Sequence, residues 1–191
     1  MPNPYIPREQ VHAWSEAIGR DQVAHQAALN RLLTDQRRLT KFLEHNQAEL
    51  QPTTAGVALY LFGVLARIYD LAGGQLRKVT WDHIHAAAQR VSGATAELLP
   101  IDEAFPERVR AVAWRAQPHV LDEALMALFA RETTDEEADL DDAEAGKVFF
   151  LMWVANEALD ACWRAPRNFQ GETEYTYAHI EPTPPEDAGE E

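Results

Sequence analysis

The chain has 191 residues, 46% of them hydrophobic, with five tryptophans and a single cysteine, Cys162. That supports one core and is short for two full-sized domains, and a lone cysteine excludes an intrachain disulfide, as fits a reducing compartment. The net charge of −14 is uneven: residues 1–50 carry six basic and six acidic side chains, residues 51–131 eight and eight, and residues 132–191 three basic against 17 acidic, a field that repels nucleic acid and anionic membrane surfaces and attracts a basic partner.

The first ten residues, MPNPYIPREQ, have no basic leader ahead of an apolar stretch, so no secretory signal is expected. From Pro7 to Leu50 the chain has no further proline and one glycine, Gly19. Taking Val11, Ser15, Ile18, Gln22, His25, Leu29, Leu32, Gln36, Leu39, Leu43, Asn46 and Leu50, seven of twelve sites at 3-4 spacing are apolar, a heptad seam with polar gaps. The segment is predicted as a long N-terminal helix. One alternative is a break near Gly19, where Gly-Arg-Asp ends one helix and caps the next. The seam packs either inside the chain or against a second copy in a homodimer.

Gln51-Pro52-Thr53-Thr54 is expected to connect to a second helix over about 54–71, apolar nearly all round and therefore central. Its apolar run from Ala55 to Ala66 is the longest in the chain and falls short of the roughly 18–20 residues of a membrane span. Gly56, Tyr60, Gly63, Arg67 and Asp70 share one face, with the glycines allowing close approach of a neighbour. Gly73-Gly74 ends this helix. Thr80 is placed to cap a third helix over about 81–98, weakened near Ser92-Gly93, with Pro100 beyond its end. A fourth helical region spans about 106–131, and Pro118 either kinks or divides it. Division with reversal makes the last helix parallel to the second; a kink makes the two antiparallel.

The last helix is predicted over about 140–164, opening on Asp141, Asp142 and Glu144, carboxylates suited to a helix N-terminus. Beyond Pro166 the composition turns to Glu, Thr, Pro and Gly, and disorder is expected from about Gln170, with Tyr175, Tyr177 and Ile180 able to dock on the domain or on a partner. No strand alternation and no repeat stands out. The expectation is an all-α bundle of about five helices over residues 1–168, followed by an acidic tail over 169–191.

No motif announces a chemistry. The strongest constellation follows the apolar run Val148 to Ala155: Asn156, Glu157 and Asp160, with Asn156 and Asp160 sharing a face with Phe149, Trp153 and Trp163. Arg67 and Asp70 occupy the matching end of the second helix. Carboxylates in low dielectric must be paired or protonated, so Arg67 is expected to reach Glu157 or Asp160 where the helix ends meet. The ordinary outcome for such a group is a polar network fixing helix register.

Metal binding finds little support. No Glu-x-x-His occurs, and His83 and His85, two apart on a helix, point in different directions. Asp21 with His25 and His45 with Glu49 have i, i+4 spacing on a polar helix, where solvated pairs are usual. The run Glu132 to Glu144 holds eight carboxylates without the central glycine of a calcium loop. Gly73-Gly74 has no phosphate-loop context, and Cys162 beside Trp163 is expected to pack. No cofactor is predicted. The leading expectation is a cytoplasmic, non-enzymatic interaction or regulatory protein that docks a protein partner through helix packing, its acidic segment steering a basic surface. The alternative is a small-molecule or metal-dependent helical enzyme, with Asp70, Glu157 and Asp160 as ligands or acid/base groups and Arg67 for an anionic substrate.

Overall fold

The computed structural model describes residues 2–130 and 140–177. Among the described residues there are eight helices: α1 (Arg8–Arg20), α2 (Gln22–Asp35), α3 (Arg37–Gln47), α4 (Pro52–Ala72), α5 (Trp81–Leu98), α6 (Phe105–Arg110), α7 (Pro118–Phe129) and α8 (Asp142–Asp160). Two short strands, β1 (Gln75–Leu76) and β2 (Trp163–Arg164), pair antiparallel, and Tyr5 bridges to Glu172. The all-α expectation holds; the count of about five helices is corrected to eight among the described residues, because the N-terminal segment is three helices and the fourth region two, and a small ladder joins them.

The long N-terminal helix is corrected. It is three helices, broken at Asp21 and again at Gln36. The first break is the one Gly-Arg-Asp suggested: α1 ends at Arg20, and the Asp21 carboxylate caps α2 by accepting from the Ala24 amide at 2.9 Å. The second has a long-range cause. Gln36 turns inward, its oxygen accepting from the Val79 amide at 2.9 Å and its nitrogen donating to the Arg77 carbonyl at 3.2 Å. These bonds give the exposed end of β1 a partner. Val11, Ile18, Leu29, Leu32, Leu39 and Leu43 of the apolar seam are buried in the chain's own core.

α4 begins two residues earlier than expected, because Pro52 fits the first turn, where its missing N–H costs nothing. It ends at Gly73 (φ 73°) and Gly74 (φ 80°), both left-handed. By length and composition α4 is the one helix among the described residues able to cross a membrane. In the fold it is central, packed on α8, α2, α1 and α7. Gly63 allows the close approach of α2: a Cβ there would lie 2.9 Å from the His25 ring. Gly56 faces open space, so only one of the two glycines plays the predicted part.

Thr80 caps α5 in a reciprocal box with His83, and the helix runs through Ser92-Gly93 unbroken. Pro118 divides the fourth region. It starts α7, residues 111–117 form an irregular turn, and Gln117 sits in the left-handed region at φ 39°. The division matches a parallel α4 and α8: the Gln51 amide at one end faces Glu144, and the Tyr69 hydroxyl at the other donates to Asn156. α8 is capped by Asp141 and is buried without interruption from Leu151 to Leu159.

The predicted tail from residue 169 divides too. Residues 169–177 lie on the domain through the Tyr5–Glu172 bridge and through Tyr175 and Tyr177. Ile180 and the rest of the acidic terminus lie outside the described residues, as does most of the Glu132 to Glu144 run.

His25 is buried between α2 and α4 with neither ring nitrogen hydrogen-bonded, and the Tyr60 ring packs edge-on 5.6 Å away. Burial lowers its pKa from 6.5, and the Arg67 charge adds to the effect. The unfolded chain therefore takes up this proton before the folded chain does, so stability is complete above the unfolded value and falls as pH drops through it. H25L is expected to raise stability by about 1 kcal/mol, since two buried unpaired nitrogens disappear. The gain should widen in urea titrations between about pH 7.5 and pH 5.5. An equal gain at both would refute the assignment.

Candidate functional site

The C-terminal end of α8 meets the turn 111–117 and the N-terminal arm. The turn has no helix or ladder to satisfy its backbone, and α8 supplies the partners. The Glu157 carboxylate accepts from the Ala116 amide at 2.7 Å and from the Trp153 indole at 3.2 Å through one oxygen. Its other oxygen lies 3.0 Å from the Arg90 guanidinium. Asn156 donates to the Ala116 carbonyl at 2.5 Å and accepts from the Tyr69 hydroxyl at 2.9 Å. Ala116 is thus held on both its backbone groups by adjacent residues of one helix.

Asp160, one turn from Asn156, binds the next residue of the turn and the arm together. Its Oδ1 accepts from Gln117 Nε2 at 2.9 Å and from Asn3 Nδ2 at 3.2 Å. Gln117 in turn accepts from the Ile6 amide at 2.8 Å. Gln117 Nε2 also donates to the Pro4 carbonyl at 3.1 Å, and the left-handed backbone at Gln117, a strained choice for a residue with a Cβ, is held by the bonds of its side chain to Asp160, Ile6 and Pro4. Above them the Arg90 guanidinium lies 4.6 Å from the Trp114 ring centre, and Trp114 stacks on Trp153 at 5.2 Å. Arg90 and Trp153 thus both pack against the Trp114 indole, which stays partly exposed.

A cleft of about 290 Å³ remains between the arm, the turn and α8, lined by Asn3, Arg90, Trp114, Gln117, Glu157 and Asp160. Burial raises the pKa of Glu157, and the Ala116 amide, Arg90 and Trp153 oppose it. Burial raises Asp160 as well, against the donors Gln117 and Asn3. Burial also pushes the Tyr69 phenol well above its ordinary value, with Asp160 and Glu157 reinforcing the effect, so Tyr69 acts as a neutral donor.

The four residues singled out from the sequence do not converge. Glu157 and Asp160 line this cleft, whereas Arg67 pairs with Asp70 on the outer face of α4. Asp70 also binds Arg31 at 2.9 Å and lines a separate cleft of about 220 Å³. The expected Arg67 contact with Glu157 or Asp160 is replaced by Arg90 from α5. Tyr69 is the residue α4 sends toward the site, two positions from Arg67 and about 200° around the helix. Arg90, Trp114 and Gln117 were missed. The Gln117-Pro118 pair was the available signal, because a residue before proline leaves the helical region.

A second buried network surrounds α7. Asp122, fully buried, lies 3.3 Å from Arg115 and accepts from the Tyr175 hydroxyl at 3.0 Å. His119 faces Glu172 at 2.8 Å, and Arg8 pairs with Glu123 at 2.7 Å. His119, Asp122 and Glu123 interrupt an otherwise apolar helical stretch, a signal legible in the sequence. Cys162 is buried with its thiol 3.3 Å from His83 Nδ1, and burial raises its pKa, which keeps it protonated. Among the described residues no three His, Cys, Asp or Glu side chains are grouped to hold a metal ion.

The two carboxylates respond oppositely to substitution. E157A strips the Ala116 amide, the indole and Arg90 of their acceptor and should cost about 2–3 kcal/mol. D160N keeps an acceptor for Gln117 and Asn3 while removing a charge that the fold holds less readily than water does. It should be neutral to stabilising at pH 7, with the advantage shrinking toward pH 4 as the wild-type carboxyl takes up its proton. Urea unfolding of both variants at the two pH values decides: a D160N loss matching that of E157A would rule out the desolvated-charge reading.

Compared with protein-family models, curated proteins and solved structures, the chain shows no match.

Proposed function

We propose that the chain is a non-enzymatic helical interaction protein of regulatory or adaptor type, which docks a helix from a partner with a basic surface. The observation that carries this reading is an apolar groove of about 490 Å³ between α1, α4 and α7. Its floor is Leu61, Val64 and Ala124, and its mouth is marked by the exposed Tyr60 and Ala127. A groove walled by three helices is the form that receives the apolar face of an amphipathic helix.

Charge complementarity selects the occupant. Glu16, paired with Arg20, and Glu123, paired with Arg8, line the groove, so the unmatched charge is that of the acidic run in the sequence beyond α7. Ala130 lies at its edge. From there the sequence continues into the acidic run. A run of that charge favours lysine and arginine flanking an apolar stripe, and it raises the rate of encounter more than the final affinity.

A second reading, a helical enzyme acting on a small molecule, draws on Asp160. Its carboxyl lines a cleft, takes up a proton more readily than usual, and has both side-chain hydrogen bonds on Oδ1. Glu157 fits that role poorly, since both oxygens are engaged in holding the turn and Arg90.

Co-purification from the native cell separates the two. Wild type is expected to retain a partner bearing a basic amphipathic helix. A127R, which sets a long cation in the groove mouth, should reduce its recovery at least tenfold, while V23R on the exposed face of α2 should not. A synthetic peptide of that helix should bind wild type and not A127R. Equal recovery by A127R and wild type would end the groove reading.

A further inference from the structure

The side chains packed around Tyr175 form a socket fitted to a tyrosine. Its ring lies between the Arg115 guanidinium, 4.7 Å from the ring centre, and the His119 ring at 5.2 Å. Its hydroxyl reaches Asp122 Oδ2 at 3.0 Å. Arg115, His119 and Asp122 are each at most 2% exposed with the tyrosine in place. A phenylalanine would fill the same space and leave the buried carboxylate without that donor, and a site built around a hydroxyl discriminates strongly against the analogue lacking it.

Two further contacts extend the recognition along an extended chain. Three residues before the tyrosine, the Glu172 carboxylate faces His119 Nε2 at 2.8 Å. Two residues after it, the Tyr177 ring lies beneath Arg110 at 3.9 Å. The backbone adds an antiparallel pair: the Tyr5 amide donates to Glu172 at 2.8 Å and the Glu172 amide returns a bond to Tyr5 at 2.9 Å. Gly171 permits that approach, since a Cβ there would fall 2.7 Å from the Tyr5 carbonyl oxygen. Strand addition plus pockets for alternate side chains is a general mode of peptide recognition.

We propose that this surface of α6, α7 and the turn between them is a binding site for acidic peptides of the form Glu-x-x-Tyr-x-Tyr, and that residues 172–177 are its resident ligand in cis. The segment is held by one pair of backbone bonds and three side chains, while Thr173, Glu174 and Thr176 are exposed. Elements with so few buried contacts open at a fraction of the free energy of global unfolding. When the segment leaves, the socket takes the same motif from another chain, and the resident copy sets the threshold by competition. The site is separate from the groove of the preceding section, meeting it only at Met126, which lines the groove and contacts the Tyr177 hydroxyl.

The test uses the full chain and a fluorescent peptide with the sequence of residues 170–178. Full-length E172A/Y175A, which empties the socket, is expected to bind the peptide at least tenfold tighter than wild type. A peptide carrying phenylalanine at the position of Tyr175 should bind at least fivefold more weakly. Binding by the double variant no tighter than by wild type, or equal binding of the two peptides, overturns the proposal. Hydrogen exchange on wild type tests reversibility without any substitution. The amides of Tyr5 and Glu172 should exchange together and well before those of α8; protection equal to α8 means that the segment is a permanent part of the fold, and overturns the proposal as well.

Discussion

The fold depends on one constraint: the C-terminal half of α8 is buried on every face. From Leu151 to Leu159 every residue is buried, so helices must surround it, and α4, α5 and α7 pack around it. The polar residues Asn156 and Glu157, buried near the end of such a helix, must find partners from other segments. Asn156 and Glu157 therefore hold both backbone groups of Ala116, and Asp160 holds Gln117 and Asn3. The irregular turn and the N-terminal arm are ordered by the end of the central helix, and the chain between α6 and α7 needs no secondary structure of its own.

This arrangement explains which parts of the structure were legible in the sequence. The stop at Gly73 and the cap at Thr80 are local signals, each acting through the backbone of the residue that carries it, and each appears where expected; at Pro118 the break has the expected place, and of kink and division the structure has division. The parallel course of α4 and α8 followed from the Pro118 division. The break at Gln36 was hidden, because nothing in its neighbours disfavours a helix; its cause is a pair of hydrogen bonds to Arg77 and Val79, some forty residues away. The 3-4 spacing of the apolar seam survives both breaks, so periodicity alone could not distinguish three helices from one.

At the candidate site the sequence had the level right and the rotation wrong. A parallel α4 and α8 do set residues 67–70 beside residues 156–160, as the Tyr69–Asn156 contact shows. Helical phase then turns Tyr69 inward and leaves Arg67 and Asp70 to pair with each other outside. The cation that reaches Glu157 comes from α5, with its stem across Trp114, and no spacing rule links Arg90 to a turn more than twenty residues later. Pairing of this kind is set by tertiary packing and is invisible to a reading by faces.

The distribution of charge gains a structural meaning from α7. The balanced body of the chain and its acidic final third meet at this helix: the acidic run departs just beyond its C-terminal end, and Glu172 lies against His119 near its start. Arg110 and Arg115, from α6 and the turn that precedes α7, are the cations that meet the returning segment, stacked on Tyr177 and Tyr175. Arg8 of α1 is the cation on the groove side, paired with Glu123. The basic side chains nearest α7 are therefore already matched from within the chain, while in sequence the last 60 residues carry 17 carboxylates against three cations. On the proposed reading, the sequence excess of negative charge would draw a basic helix to the groove, and an incoming acidic peptide must first displace one that is already bound. The two surfaces thus differ in electrostatic logic although they share a helix, one open by excess charge and the other closed by a charge-matched occupant.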